Sequence, residues 1–324
     1  MDKYRVLLTG GAGFIGSNIL ASLVDSPTVD KVVVLDNLST GYEKNLIKHP
    51  KVSFYNGDIR KFEICLEAAK DLNVICHQAA LGSVPRSIKD PITTNDVNIN
   101  GTLNVFYAAK ESGIKKVVFA SSSSVYGNNT DLPKQEDKIG TPLSPYGVTK
   151  QVGELYAKVF HKTYGLNFIG LRYFNVFGPN QDPNGPYAAV VPLFIINSLN
   201  NIPSVINGDG SQSRDFTYVG NVVDANLKAI FSNDINAWNN IYNIAFGSRS
   251  NLLELYELIQ HVSGKKIKPV FGPERHGDIP HSLADISKAR KNLLYSPTIS
   301  LQEGVQLTYN WFAKNTFAKE QATI

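Results

Sequence analysis

The sequence predicts an α/β fold: a doubly wound parallel sheet joined to a smaller mixed α/β domain. Three observations predict it. Short β-branched runs alternate with longer helical patterns through the first half of the chain, and strands separated by helices pair in parallel through crossovers. A glycine-rich turn, Gly10 to Gly16, stands between the first strand-like run and the first helical one. Further on, Tyr146-Gly147-Val148-Thr149-Lys150 opens a long helical pattern with a phenol and an amine four residues apart, on one helix face.

The elements follow in order. Val6 to Thr9 reads as a buried strand, Phe14 to Val24 as the helix after it, and Lys31 to Asp36 as the second strand. Val52 to Tyr55 and Val74 to His77 are the third and fourth. Thr93 to Ser112 has helical spacing of Val97, Leu103, Val105 and Phe106. Lys116 to Ala120 is the fifth strand, Pro145 to Tyr164 a long helix, and Asn167 to Arg172 the sixth strand. After Asn175 the texture changes. Pro179, Pro183, Gly185, Pro186 and Pro192 crowd one segment, and Asn207 to Ser213 is another stretch of turn residues. The expected division is 1–175 and 176–324, the second part smaller and looser. Segment 221–246, with a helix at Val222 to Phe231 and a strand at Ile241 to Ala245, is expected to return to the main sheet. Lys319 to Ile324 is expected to fray.

Composition excludes several classes. The chain has 324 residues, 43% of them hydrophobic, which is ordinary for a globular protein. The net charge of +4 comes from interspersed charges, with no basic run or aromatic-basic stripe for nucleic acid, and it fits an anionic small substrate. Cys65 and Cys76 make no disulfide framework and no metal-ligand spacing, so no metal is expected. No apolar stretch approaches the ~20 residues of a membrane span. The start runs directly into a strand without a signal peptide. A cytoplasmic protein is the expectation.

The glycine turn has a mechanism. Gly10 suits a tight turn, Gly13 lets backbone approach a pyrophosphate, and Gly16 lets helix and strand pack closely, with the helix N-terminus aimed at the phosphates. Asp36 ends the second strand about 20 residues further on, where an acid accepts from the ribose hydroxyls of NAD and repels the 2′-phosphate of NADP. The plainer alternative is a strand-end Asp-Asn turn. Asp58 fits equally an acceptor for the adenine amine or a loop cap.

Ser121 to Ser124 follow the fifth strand at the carboxyl edge of the sheet, where such folds bind ligands. A serine hydroxyl there can share a proton with a substrate hydroxyl and a phenol. Tyr146, as phenolate, is the candidate general base. Bringing a phenol from about 10 to about 7 takes roughly 4 kcal/mol of electrostatic help, which Lys150 and a positive nicotinamide are expected to supply. The two motifs together point to hydride transfer with a nicotinamide.

TGGAGFIGS, LDNLSTG, GDIR, HQAA, SSSSVYG, YGVTK and LRYFNVFGP, in this order, resemble the extended short-chain dehydrogenase/reductases acting on nucleotide sugars, which have a Rossmann domain and a substrate domain. HQAALGSVPRS, QDPNGPYAAVVP and HSLADISKA resemble, more closely, the bacterial UDP-N-acetylglucosamine 4-epimerases of surface-polysaccharide pathways. The resemblance spans essentially the whole chain. It implies that Tyr146 takes the proton of the sugar 4-hydroxyl while NAD takes the C4 hydride, that the 4-keto sugar swings about its bond to the diphosphate, and that both return on the other face. By position it makes Ser122 the partner hydroxyl, alongside Tyr146 and Lys150. Ser123 and Ser124 stand where related dehydratases carry an acidic pair, which argues against water elimination.

Cofactor contacts implied by the resemblance are Gly10, Gly13, Phe14, Ile15, Gly16, Asp36, Asn37, Gly41, Asp58, Ile59, Gln78, Ala79, Ala80, Tyr146, Lys150 and Tyr173. Implied substrate contacts are Ser83, Ser122, Ser123, Tyr146, Asn175, Val190, Asn207, Arg214, Arg249, Arg275, Asp278 and Ser282. Arg214 and Arg275 match residues that grip the diphosphate, with a solvated salt bridge as the alternative for each arginine. Asp278 matches a uridine-ribose acceptor. Ser282 replaces a tyrosine of strictly UDP-galactose enzymes and so leaves room for a 2-acetamido group. The resemblance also implies a homodimer through helices 93–112 and 145–164, although apolar positions there fit sheet-facing core equally. Two other readings stand beside it: a UDP-glucuronate epimerase or decarboxylase, with Arg86 as the cation for the sugar carboxylate, and a catalytically silent NAD-binding regulatory protein.

Overall fold

Runs of valine, isoleucine and leucine too continuous for a half-exposed sheet require cover on both faces, and the chain folds accordingly. The computed structural model describes residues 3–183, 189–274 and 280–321. In the first half, β1 (Tyr4–Thr9), α1 (Phe14–Asp25), β2 (Val29–Asp36), β3 (Val52–Asn56), α2 (Phe62–Ala68) and β4 (Val74–His77) alternate. The helices α3 (Val84–Lys89), α4 (Pro91–Asn95) and α5 (Gly101–Glu111) lead to β5 (Lys116–Ser122), α6 (Pro145–Tyr164) and β6 (Asn167–Tyr173). Then come β7 (Val176–Phe177), α7 (Val190–Leu199), β8 (Val205–Asn207), β9 (Ser213–Arg214), β10 (Thr217–Tyr218) and α8 (Val219–Phe231). The chain continues through β11 (Asn240–Ile244), β12 (Ser250–Asn251), α9 (Leu252–Ser263), β13 (Val270–Gly272), α10 (Ser287–Leu293) and α11 (Leu301–Gln321).

Seven strands form one sheet in the order β3-β2-β1-β4-β5-β6-β11. Every neighbouring pair is parallel. Strand order reverses between β1 and β4, so a crevice opens at their carboxyl ends, beyond Thr9 and His77. One apolar cluster joins Ile19, Leu20 and Leu23 of α1 to Val222, Val223 and Ala229 of α8 on one face of the sheet. A second joins Val105 and Phe106 of α5 to Ala157 and Phe160 of α6 on the other. A third, separate core lies in the second half, where Phe194 and Ile195 of α7 meet Leu255 and Ile259 of α9 and Val305 of α11.

The helix expected at 93–112 begins earlier and is not uniform. Pro91 occupies the first turn and Asp90 accepts from the Thr93 amide at 3.1 Å, so the cap sets the start at 91. A wider, π-type turn at 96–100 then joins α4 to α5. The second half is more regular than its prolines and glycines suggest. Asn251 and Glu254 form a reciprocal capping box for α9, and Gly264 ends it in the left-handed region. Residues 319–321, expected to fray, continue α11, and 322–324 lie outside the described residues. Among the described residues no helix is long and apolar enough to cross a membrane.

Candidate active site

The glycine turn follows directly from β1. Gly10 sits at φ +72°, where L side chains are strained, and a Cβ on it would lie 2.6 Å from the Ala79 nitrogen. A Cβ on Gly16 would lie 2.1 Å from the Gly10 carbonyl oxygen. Both glycines are therefore required for packing. Gly13 differs: its Cβ would meet only that same oxygen, at 3.3 Å, and otherwise project into open space. No side chain caps α1, so its first-turn amides remain available to an anion.

These residues form one end of a cavity of about 730 Å³. Asp36 stands at its rim, nearly buried; one carboxylate oxygen accepts from the Ala12 amide at 3.0 Å and the other from the Leu38 amide at 2.8 Å. Each oxygen keeps a lone pair for a further donor. Asn37 and Asp58 face the same cavity, and Asn37 donates to Asp58 at 3.0 Å. Of the two readings of Asp58, the loop-cap contacts are formed: Arg60 binds it through its guanidinium at 2.6 Å and through its amide at 2.9 Å, holding the carboxyl down to about 2. Phe14, Ile15, Ile59, Ala79 and Ala80 complete this wall. Gly41 does not line it. A Cβ there would press on Ala12, at 2.7 Å from its carbonyl carbon, so Gly41 lets the turn after β2 lie against the glycine loop.

The other end of the cavity holds the candidate reacting groups. Ser144 caps α6 by accepting from the Gly147 amide at 3.1 Å, with Pro145 in the first turn, which fixes Tyr146 at the start of the helix. Ser122 ends β5; its Oγ accepts from the Ser124 amide at 3.1 Å, and Ser122 and Tyr146 line the same cavity. Lys150 donates to the Ala120 carbonyl at 2.9 Å and stands 5.8 Å from the centre of the Tyr146 ring. Ser83, Ser123, Asn175, Gln78 and Tyr173 line the same cavity. Tyr173 donates to Gln78 at 3.1 Å, and both engage Asn226 of α8, which fixes this wall from behind.

The expected lowering of the Tyr146 pKa is not produced by the chain's own groups. Burial raises it, and the nearby Ser122 hydroxyl opposes only part of that rise. The ammonium of Lys150 is spent partly on Ala120, and burial lowers its own pKa to about 8. A positive charge or a hydrogen-bond donor added beside the phenol would lower it.

Other implied substrate residues lie outside the wall formed by the described residues. Val190 begins α7, Asn207 ends β8, and Arg249 is exposed in the loop before β12. Arg214 donates to the carbonyl oxygens of Ser213 and Pro280 at 3.0 and 3.1 Å. Ser282 is half-buried, with its amide bonded to the Ser213 carbonyl at 3.0 Å, so it stands in the same small cluster as Arg214. Arg275 and Asp278 fall outside the described residues.

Sequence reasoning missed Tyr42 and Asp182, which both line the cavity and hydrogen-bond to each other at 2.6 Å across 140 residues of chain. Tyr42 directly follows the LDNLSTG string and Asp182 lies in the proline-rich segment, but nothing local in the sequence pairs them.

A dinucleotide fits this cavity by its own features: an open face at Gly13, uncapped amides on α1, and a nearly buried acid at the end of β2. The comparisons agree. A putative UDP-glucose 4-epimerase of Methanocaldococcus jannaschii is 41% identical over 96% of this chain and 99% of its own length. The structure of UDP-N-acetylglucosamine 4-epimerase from Methanobrevibacter ruminantium M1, in complex with UDP-N-acetylmuramic acid, superposes with a TM-score of 0.92 at 42% identity, covering 97% of this chain and 100% of that one. That of UDP-glucose 4-epimerase from Thermotoga maritima, with UDP-glucose, gives 0.91 at 36% identity, covering 96% and 99%. Residues 6–245 match the NAD dependent epimerase/dehydratase family, and the chain belongs to that family.

Proposed function

We propose that the chain inverts carbon 4 of UDP-sugars with tightly held NAD, and that its preferred substrates are the N-acetylated pair UDP-N-acetylglucosamine and UDP-N-acetylgalactosamine, with UDP-glucose and UDP-galactose as further substrates. The observation that carries the activity is the meeting of Ser122, Tyr146 and Lys150 in the same cavity as the glycine turn. Relatives named for this reaction at 36–42% identity support it.

NAD, which Gly13, the uncapped α1 amides and Asp36 would hold, would supply the hydride-accepting and hydride-donating chemistry at C4. The chain's residues handle the proton. Tyr146 takes it from the 4-hydroxyl and later gives it back. Ser122, whose oxygen already accepts from the Ser124 amide, turns its own hydrogen toward the phenol and steadies the phenolate. Lys150 keeps a positive charge beside the ring. Ser123 and Ser124 offer no carboxyl group to expel water from the sugar. Arg214, held by two backbone carbonyls, and Arg275 are assigned to the diphosphate, and Asp278 to the uridine ribose.

Ser282 supports the N-acetyl preference because a small side chain leaves room beside the sugar. Arg86 on the cavity wall favours a second reading, in which the sugar carries a carboxylate. We assign 1–175 and 221–246 to cofactor binding and most of 176–324 to the UDP-sugar; the pairing of β11 with β6 supports this. Exposed apolar side chains on α4 and α6, among them Ile92, Leu155 and Val159, support a homodimer. We place the enzyme in the cytoplasm.

The test is to incubate purified protein without added NAD, separately with UDP-N-acetylglucosamine, UDP-glucose and UDP-glucuronate, and to resolve products by NMR. Interconversion of the first pair is expected. Release of carbon dioxide from UDP-glucuronate, with the neutral sugars untouched, replaces this reading by the second. Bound NAD with no conversion of any sugar leaves a regulatory protein.

A further inference from the structure

Glu154 lies on α6 four residues after Lys150 and eight after Tyr146, so all three share one helix face. That face meets three consecutive residues at the end of β5. Tyr146 lines the cavity with Ser122, Lys150 donates to the Ala120 carbonyl at 2.9 Å, and Glu154 accepts from the Ser121 hydroxyl at 2.6 Å. The Glu154 carboxylate also reaches β6, where Nε and Nη2 of Arg172 each donate to one of its oxygens at 2.8 Å. Ser121 and Arg172 are register partners across the two strands, and so are Ser122 and Tyr173. One carboxylate thus bridges a rung of the sheet, and the next rung lines the cavity.

The bridge is dry: the Glu154 and Arg172 side chains are each 3% exposed. Arg172 is held from two further directions, donating to the Glu136 carbonyl at 3.0 Å and lying 4.9 Å from the centre of the Tyr126 ring. A buried ion pair is a poor source of stability, since apolar residues of the same volume often serve as well. What it supplies is direction, because a bidentate fork accepts only one geometry.

We propose that Glu154 is a positioning residue: through Ser121 and Arg172 it locks α6 onto the ends of β5 and β6 and so holds the Tyr146 phenol against the Ser122 hydroxyl for proton transfer. This rests on the epimerase reading above. The two groups sit on different elements, and a misplacement of about 1 Å costs on the order of 100-fold in rate.

Ser121→Ala tests it most gently, removing one donor and leaving the ion pair. Glu154→Gln keeps the shape and removes the charge. Native and variant holoenzymes are assayed with the UDP-sugar that the native protein converts. For Ser121→Ala we expect kcat to fall about 3- to 30-fold, with KM and bound NAD unchanged. The C4-deuterium isotope effect on kcat should grow, and the acid limb of the pH profile should move upward. A crystal structure of the variant should show Ser122 and Tyr146 further apart. Glu154→Gln should do the same more strongly; if it does not fold, Ser121→Ala decides alone. A lowered Tm with native kcat, isotope effect and pH profile would make Glu154 merely structural and overturn the proposal. If the native protein converts no UDP-sugar, the epimerase reading fails by itself. The Ser122–Tyr146 separation in Ser121→Ala then still decides, and an unchanged separation overturns the positioning role.

Discussion

The Lys150 ammonium lies 5.8 Å from the centre of the Tyr146 ring and donates to the Ala120 carbonyl at 2.9 Å, so its charge is anchored to the sheet and does not form a direct ion pair with the phenolate. Burial raises the phenol and lowers the amine to about 8. Replacing Tyr146 by Phe should cost on the order of 10²–10⁴ in turnover while NAD stays bound. Lys150 loses its proton as pH rises through about 8, so kcat of the native enzyme should decline on the alkaline side, and Lys150→Met should lack that limb at a lower plateau. Rates from pH 6 to 9.5 for the three proteins check this. A Lys150→Met enzyme with the native alkaline limb removes the lysine from that role.

The two glycines of the turn that look alike in sequence should fail differently. A methyl on Gly16 collides with the Gly10 carbonyl oxygen at 2.1 Å. Gly16→Ala should therefore destabilise the fold by about 1–3 kcal/mol. A methyl on Gly13 meets protein only at 3.3 Å and projects into the cavity. Gly13→Ala should keep its Tm within a degree or two in the cofactor-free protein and lose NAD affinity. Thermal melts beside NAD titrations separate the two, and equal loss of stability in both would contradict the cavity's orientation.

Much of this was legible in the chain because it is locally encoded. A strand buried on both faces reads as a continuous apolar, valine-rich run, as Val32 to Leu35 and Val117 to Phe119 do, and all of these residues are buried. The helix carrying Tyr146 announces itself through Ser144, Pro145 and Gly165. The sugar side was harder. Its core joins α7, α9 and α11, and prolines and glycines in the intervening loops mask the periodicity, although the Asn251–Glu254 box and Gly264 are readable signals. The Glu154 bridge and the Tyr42–Asp182 contact were invisible because each joins residues paired only by the fold.

Tyr42 and Asp182 both line the cavity and are joined by a hydrogen bond of 2.6 Å. The Asp182 loop is tied down nearby, since Asn18 donates to the Pro179 carbonyl at 3.0 Å and Asn180 to the Ser17 hydroxyl at 3.2 Å. The contact is partly exposed, so its loss should cost about 0.5–1.5 kcal/mol. Tyr42→Phe should accordingly release NAD about 2- to 10-fold faster. The residual cofactor after repeated desalting is the measurement, and native retention would show that the contact does not clasp the dinucleotide.

Ser282 should govern which sugars are accepted. It is half-buried, and its amide donates to the Ser213 carbonyl that Arg214 also binds. Ser282→Tyr should suppress turnover of UDP-N-acetylglucosamine and spare UDP-glucose. Parallel kcat/KM measurements on the two sugars check it; equal loss on both removes Ser282 from selectivity.

Asp215 should tie stability to pH. It is fully buried, and its two oxygens accept from the amides of Phe246, Gly247 and Ala284, joining the end of β11 to the segment that carries Ser282. Burial raises its pKa to about 7, against the pull of those amides. An acid that binds its proton more tightly folded than unfolded stabilises the fold at low pH. That contribution is complete below the unfolded value of 3.8 and is lost as pH rises through about 7. Asp215→Asn cannot titrate, and its amide group faces a backbone N–H in place of an acceptor, a cost of about 1–3 kcal/mol. The native protein should therefore exceed Asp215→Asn in Tm by more at pH 5 than at pH 8, and a gap that widens toward pH 8 would mean that Asp215 is ionised in the fold throughout.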